Sequence, residues 1–352
     1  MFYNSLRSLL FRLDPEAAHE LTLHLAALSP TLGKLSGLAP HPRLSVGVGN
    51  TQWNFPIGLA AGLDKNAQAL PFFSAQGFGS IECGTITLRP QSGNPRPRVF
   101  RYPQQRSLRN AMGFPNQGLE EIKTRLKNYQ GQTVIGANIG KNKDTSPQAS
   151  IGELASMLRA LENHADYFVI NVSSPNTPGL RAMQEAAYLR ELFSELRSVT
   201  TRKDLYLKIA PDLLPEKIIE LTHLAASLKL KGLIATNTTI MPELGAGGVS
   251  GELLKQKANK VRSIILNEAT DLELIGVGGI SSFQDLLELW QQGGKAAQVY
   301  TSYIYQGPQL LTHIAKNILA FLDAQQVYGL DEFFSLPLAE RKKRITDLSP
   351  RS

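Results

Sequence analysis

Asp166-Tyr-Phe-Val-Ile-Asn-Val-Ser-Ser-Pro-Asn-Thr-Pro178 is the stretch around which the chain is organised. Tyr167, Phe168, Val169, Ile170 and Val172 form a β-branched and aromatic run that stops at a cluster of Ser, Pro, Asn and Thr. Such a run is a buried parallel strand that carries polar groups to its C-terminal end. Taken alone, Ser173 to Gly179 is most simply a turn, because Pro fixes φ while Ser and Asn bond nearby backbone. The rest of the chain gives those polar groups company.

From residue 57 onward there are eight short apolar runs: Ile57 to Ala61, Ser80 to Cys83, Val134 to Ile139, Tyr167 to Val172, Leu205 to Ile209, Leu233 to Thr236, Leu272 to Val277 and Ala297 to Tyr300. A helix-period segment follows each. After the third, Ser146-Pro147 supplies a cap and a first-turn proline; after the seventh, Ser281 or Ser282 caps a helix that Gly293-Gly294 stops. The mean repeat is roughly 34 residues, about one βα unit. Strict alternation implies a parallel sheet, and eight units imply a closed (β/α)8 TIM barrel with its site at the C-terminal strand ends.

Those ends carry several carboxamides, two lysines and small hydroxyls. The set suits a planar ligand with amide edges and an anionic group, because Asn both donates and accepts. Gly276-Val-Gly-Gly279 before a helix, with Tyr300-Thr301 at the next strand end, has the form of the phosphate site such barrels build after strands seven and eight. Gly136-Ala-Asn-Ile-Gly140-Lys141-Asn142 has the wrong spacing for a Walker loop, and Gly276-Val-Gly-Gly-Ile280 does not complete GxGxxG. The loop from Ile86 to Pro115 is too long for a mere connector and reads as an ordered lid or extra strands over the mouth.

Before the barrel, Phe2, Leu6, Leu9, Leu10 and Leu13 recur at helical spacing. Asp14-Pro15 then opens a second helix with Ala17, Ala18, Leu21, Leu25 and Leu28 as its stripe. Arg7 and Arg12 interrupt the first well short of the roughly 20 apolar residues of a membrane span, and no signal-peptide pattern is present. An apolar stripe of this kind either lies on a membrane or caps the protein's own core. Residues 44-56 alternate about Gly49-Asn50 and read as a β-hairpin.

The chain has 352 residues, 42% hydrophobic and 19% charged, enough for one large core. Its single Cys83 excludes an internal disulfide framework and a Cys-based zinc site, and its six His show no ligand-like clustering, so no metal and a reducing compartment are expected. A net charge of +7 favours an anionic partner without choosing among cofactor phosphate, acidic substrate, anionic membrane or nucleic acid.

The motifs Gly58-Leu-Ala-Ala-Gly-Leu-Asp-Lys65, Gly79-Ser-Ile-Glu-Cys-Gly-Thr85, Met112-Gly-Phe114, Asn138-Ile-Gly-Lys-Asn-Lys-Asp144, Asn171-Val-Ser-Ser-Pro-Asn-Thr-Pro-Gly-Leu180, Lys208-Ile-Ala-Pro-Asp212, Ala235-Thr-Asn-Thr-Thr239, Gly247-Gly-Val-Ser-Gly251 and Gly276-Val-Gly-Gly-Ile280 occur in order. With them the sequence resembles the dihydroorotate dehydrogenases, specifically the membrane-associated, quinone-reducing class 2 enzymes, over residues 1 to about 320. The resemblance implies oxidation of dihydroorotate to orotate in de novo pyrimidine synthesis, with FMN as hydride acceptor and a membrane quinone as final acceptor.

By the same resemblance FMN meets Ala61, Gly62, Lys65, Thr85, Asn138 and Asn171, then Lys208, Thr236, Gly251, Gly279, Tyr300 and Thr301. Dihydroorotate meets Lys65, Asn110, Met112, Gly113 and Phe114, then Asn171, Asn176, Asn237 and Thr238. Ser174 falls on the catalytic base, with Thr177 or a water chain to relay its proton, and His19, Arg101 and Tyr300 fall on the quinone tunnel. A peripheral monomer on the cytoplasmic face of the cell membrane, with no nucleic-acid partner, is implied. Ala111, Pro115 and Thr301-Ser302 stand where the family commonly has Arg, Asn and a Ser-Gly pair.

Three parts are expected: a membrane-associating hairpin over 1-36, the FMN-binding barrel over 44-322, and a basic tail over 328-352 containing Arg341-Lys-Lys-Arg344. The tail reads as a solvated basic helix rather than a second membrane contact. Two rivals remain. A class 1 enzyme of the same reaction uses a Cys base, whereas here position 174 is Ser; a basic, non-catalytic binding module leaves the strand-end residues unexplained.

Overall fold

The computed structural model describes residues 2–177, 179–200, 202–268 and 271–347. Pro178 and the last five residues of the tail lie outside that description. Eight parallel strands close a barrel in chain order: β1 (Ile57–Leu59), β2 (Ser80–Ile86), β3 (Val134–Ile139), β4 (Tyr167–Asn171), β5 (Asp204–Ile209), β6 (Gly232–Ala235), β7 (Glu273–Val277) and β8 (Ala296–Val299). Closure is made where Ala297 pairs with Ile57. Helices cover the outer face of every strand, so each is buried on both sides and reads as a continuous apolar run. Ser146 caps the helix Pro147–Leu161 and Ser282 caps Phe283–Gln292, which ends at Gly293 with φ 120°.

The hairpin of Val46–Val48 and Thr51–Trp53 seals the end where the strands begin. Its Gly49 N–H donates to Glu273 Oε2 at 2.5 Å, and Asn50 donates twice to Asp204 at 2.6 and 2.7 Å. Gly49 has φ 63°, and a Cβ there would lie 2.3 Å from Asp204 Oδ2, so only glycine fits. Trp53 is fully buried and stacks on Tyr167.

At the opposite end the expected lid is a three-stranded antiparallel sheet. Val99–Tyr102 and Ser107–Asn110 are its hairpin, and Gly248–Gly251, quoted above only as a motif, is its third strand. Helices α1 (Phe2–Leu10) and α2 (Pro15–Leu28) lie at this same end. Asp14 accepts the N–H groups of Glu16 and Ala17, as a cap should. The Tyr3 hydroxyl donates to the Ile304 carbonyl at 2.6 Å and Arg7 to that of Tyr305 at 2.5 Å, fixing α1 to the helix that follows β8.

The tail forms helices Leu330–Ser335 and Leu338–Asp347. Lys342 and Lys343 are exposed, but Arg341, Phe333 and Ile345 are buried, and Phe333 packs against Trp290 and Phe321. The tail is therefore a docked cap rather than a freely solvated helix. Asp331 accepts from Gly47 N–H and Gln52 Nε2 of the sealing hairpin, which places the tail at the end of the barrel remote from α1 and α2.

Candidate active site

The C-terminal strand ends deliver their polar groups to one cavity of about 870 Å³. It runs from the barrel mouth to the inner faces of α1 and α2 and is lined by every residue expected at the catalytic, cofactor, substrate and quinone positions except Asn138; the expected relay Thr177 does not line it either. Ser174 stands beside Asn171, Asn176, Asn237 and Thr238, and the lid contributes Asn110, Met112, Gly113 and Phe114. Asn176 Nδ2 donates to Asn110 Oδ1 at 3.1 Å, so the loop after β4 and the lid meet across the mouth.

Asn138 sits behind the others. It is fully buried beneath the cavity wall, because a charge inside the barrel draws its amide down: Nδ2 donates to Glu82 Oε1 at 2.7 Å. Its Oδ1 accepts from Thr85 Oγ1 at 2.6 Å and Asn171 Nδ2 at 3.3 Å, and Asn171 also donates to Thr85 Oγ1. Asn138 thus orients two residues that do face the cavity.

Glu82 and Gln298 were not read from sequence as functional, since each is flanked on both sides by apolar residues within its strand. Glu82 is fully buried and accepts from Lys208 Nζ at 3.2 Å and Gln298 Nε2 at 2.7 Å. Lys208 is accordingly no exposed strand-end lysine but a buried ammonium with its counter-charge beneath it, one end of it lining the cavity. A buried charge persists only when paired in this way.

Ser174 is buried, and its Oγ accepts the Asn176 N–H at 3.2 Å. The Thr177 hydroxyl three residues on is buried with no hydrogen-bond partner among the described residues. Lys65 Nζ donates to the Gly62 carbonyl at 2.7 Å, and burial, opposed by Glu16, lowers its pKa to about 8. Enclosure and then the Lys65 charge lower that of His19 to about 3, so this imidazole is neutral.

At the far side of the mouth, Ser250, Gly251, Gly279, Tyr300 and Thr301 gather. Gly279 has φ 73°, and a Cβ there would lie 2.4 Å from the Lys255 backbone. Ser250 and Thr301 hydroxyls meet at 2.7 Å, while Ser302 turns its hydroxyl to the Ile280 carbonyl. The leading N–H groups of the helix Thr301–Gln306 have no intrahelical acceptor, which suits an anion.

Toward the N-terminal helices the walls become apolar, with Leu6, Leu10, Phe11, Leu23, Phe72 and Tyr305 around His19. Arg101 donates to the Leu13 carbonyl at 2.8 Å and lies over the Phe11 ring, tying the lid to the turn between α1 and α2. Glu16 and Arg98, neither picked out from sequence, form a buried ion pair beside it.

The family model described as dihydroorotate dehydrogenase matches residues 43–322, ending before the two tail helices. A protein of Thermus thermophilus named dihydroorotate dehydrogenase (quinone) is 44% identical over 339 residues, covering 92% of this chain and 98% of that one. One from Myxococcus xanthus with the same name is 42% identical over 341 residues, covering 91% and 93%. Among solved structures, the chain is similar to dihydroorotate dehydrogenase of Eimeria tenella in complex with ferulenol, with TM-score 0.84, 34% identity and coverage of 93% and 96%.

Proposed function

This chain belongs to the dihydroorotate dehydrogenase family, and on that premise we propose that it oxidises dihydroorotate to orotate in pyrimidine synthesis and passes the electrons to a quinone. The observation that carries this reading is the continuity of the cavity. A mouth lined by Asn side chains and Ser174 opens into an apolar space under α1 and α2, so one redox group between them can face a polar donor and a lipophilic acceptor.

The family is flavin-dependent, and the residues present fit FMN. Ala61, Gly62, Lys65, Thr85, Asn171, Lys208 and Thr236 would surround the ring system, with Asn138 supporting from behind, and Gly251, Gly279, Tyr300 and Thr301 would hold the phosphate. Bound there, the flavin supplies a two-electron acceptor that no side chain provides. Lys208, held by Glu82, would place positive charge beside it. Lys65 meets the carboxylate of dihydroorotate, while Asn110, Asn176, Asn237 and Thr238 orient its amide edges.

Dihydroorotate loses a proton from C5 and a hydride from C6. Ser174 takes the proton, and the Thr177 hydroxyl, on the same loop and free of any partner among the described residues, would carry it away through an intervening water. Burial of both hydroxyls excludes bulk water from the transfer.

The N-terminal helices favour the membrane reading over the core-cap reading. Tyr3, Arg7, Leu10 and Phe11 line the cavity, as do the partly exposed Leu6, Leu25 and Leu32, whereas Leu9, Leu13, Leu21 and Leu28 are exposed without lining it. Fully burying a Leu side chain contributes about 1.5–3 kcal/mol, so this face gains on entering the acyl region. No helix among the described residues is long and apolar enough to cross a membrane. We take the protein to be a peripheral monomer on the cytoplasmic face of the membrane, its quinone entering between α1 and α2.

The test uses the purified protein under anaerobic conditions. It should be yellow, release FMN on denaturation, bleach when dihydroorotate is added and recover its colour with a soluble quinone. Failure to bleach would remove the activity; release of a different flavin would remove only the FMN assignment.

A further inference from the structure

Ser174 stands three residues beyond β4, and Asn237 and Thr238 stand two and three beyond β6, so the barrel's ladder no longer fixes either segment. Asn237 Nδ2 links them directly, donating to Ser173 Oγ at 2.9 Å and to Asn171 Oδ1 at 3.4 Å. A further link is made by a side chain that does not line the cavity. Arg181 donates through Nε to the Ser173 carbonyl at 3.0 Å and through Nη2 to the Thr238 carbonyl at 3.0 Å. Its Nη1 donates to Asp212 at 2.8 Å.

Asp212 follows β5 and is itself a hub. It accepts from the Thr239 hydroxyl, from the Ile240 N–H at 3.2 Å and from Lys257 Nζ at 2.7 Å. The Arg181–Asp212 pair therefore fastens together the segments leaving three consecutive strands. A guanidinium suits this task because its planar fork serves two carbonyls and a carboxylate at once and stays protonated; a lysine ammonium is a point charge without that fork.

We propose that Arg181, oriented by Asp212, is a positioning residue that sets Ser174 against the substrate face held by Asn237 and Thr238. The proposal rests on the reading of Ser174 as the base. A misplacement of about 1 Å at a reacting centre costs up to about 100-fold in rate, so a bolt of this kind shows itself in the proton-transfer step.

Arg181→Ala, Arg181→Lys and Ser174→Ala, each carrying its flavin, are mixed anaerobically with dihydroorotate and with dihydroorotate deuterated at C5 or at C6, and flavin bleaching is followed by stopped flow. Arg181→Ala should bleach on the order of 10–100-fold more slowly. Its C5 isotope effect should grow relative to the C6 effect, because proton removal now limits, and reoxidation by a soluble quinone should be unchanged. Arg181→Lys, or guanidinium ion added to the Ala variant, should recover part of the rate. A normal rate in Arg181→Ala, or a loss with unchanged isotope effects and equally slow reoxidation, overturns the positioning role. If Ser174→Ala itself bleaches normally, the base assignment has failed and this role fails with it. A slow Ser174→Ala beside a normal Arg181→Ala overturns the positioning role alone.

Discussion

Glu16 and Arg98 form a two-pronged ion pair with both side chains only 6% exposed: Arg98 Nη2 lies 2.7 Å from Glu16 Oε1, and Nε lies 3.1 Å from both carboxylate oxygens. Arg98 also donates to the Ser92 and Asn94 carbonyls at 2.6 Å, so the buried pair bolts α2 to the lid, with Arg96 adding more exposed contacts to Glu16 and Glu20. Glu16→Gln would leave a buried guanidinium without its counter-charge, a loss of about 3–5 kcal/mol. Thermal unfolding should show a lowered midpoint, and Glu16→Gln combined with Arg98→Met should recover most of it. Additive losses in the double variant would mean the pair is not the bolt.

The exposed leucines allow the membrane reading to be tested without disturbing that bolt. Leu9, Leu21 and Leu28 are 61%, 43% and 67% exposed and do not line the cavity, so changing all three to Gln removes little packing. Surface changes of this kind stay within about 0.5 kcal/mol each. The triple variant should keep its flavin, its thermal midpoint and its turnover with short soluble quinones. It should lose most sedimentation with anionic liposomes and most turnover with long-chain quinones. Undiminished liposome binding would assign the patch to something other than lipid. Of the two arginines on this hairpin only Arg12 is free to meet headgroups, since Arg7 is turned to Tyr305.

Lys65 gives the reaction a pH signature. Burial lowers its pKa to about 8, so in the free enzyme it is an ammonium below that pH and loses its charge above it. KM for dihydroorotate should therefore rise as pH climbs past about 8. Ser174 is a hydroxyl and a poor base at neutral pH, so the rate at saturating substrate should climb over the same range. Steady-state profiles should show kcat and kcat/KM diverging above about pH 8, and parallel profiles would contradict the Lys65 assignment. Ser174→Ala should lower flavin reduction by about 10²–10⁴-fold while retaining the cofactor. His19, held near 3, stays neutral throughout, so His19→Gln should leave both profiles unmoved.

The tail separates stability from catalysis. Phe333 is fully buried against Trp290 and Phe321 at the barrel end remote from the cavity. Phe333→Ala should cost about 3–5 kcal/mol in denaturant unfolding and leave the rate of flavin reduction unchanged. A matching loss of rate would connect the tail to the site.

The barrel was legible in the sequence because a strand buried on both faces declares itself within its own residues. Val134–Ile139 was bounded correctly, and the run from Ile57 proved two residues shorter than read. Caps and stops such as Ser146-Pro147 and Gly293 act on neighbours within a turn, so they too are local signals. The gathering of the candidate residues at one cavity was legible because the topology sends every strand end to one mouth, whatever the residues between.

Tertiary structure alone decided the rest. Gly248–Gly251 has no strand periodicity; it is a strand because closure brings it against Ser107–Asn110, more than a hundred residues earlier. A leucine stripe on a helical wheel has no sign, and the docking of Tyr3 and Arg7 left Leu9 and Leu13 exposed while Leu10 lines the cavity. Glu82 looks like a flaw in an apolar strand until Lys208 arrives from β5 to neutralise it and Asn138 and Gln298 arrive from β3 and β8 to hydrogen-bond it. Local periodicity reports what a residue's immediate neighbours require, whereas a buried charge and its partners are a long-range cancellation that exists only once the barrel has closed.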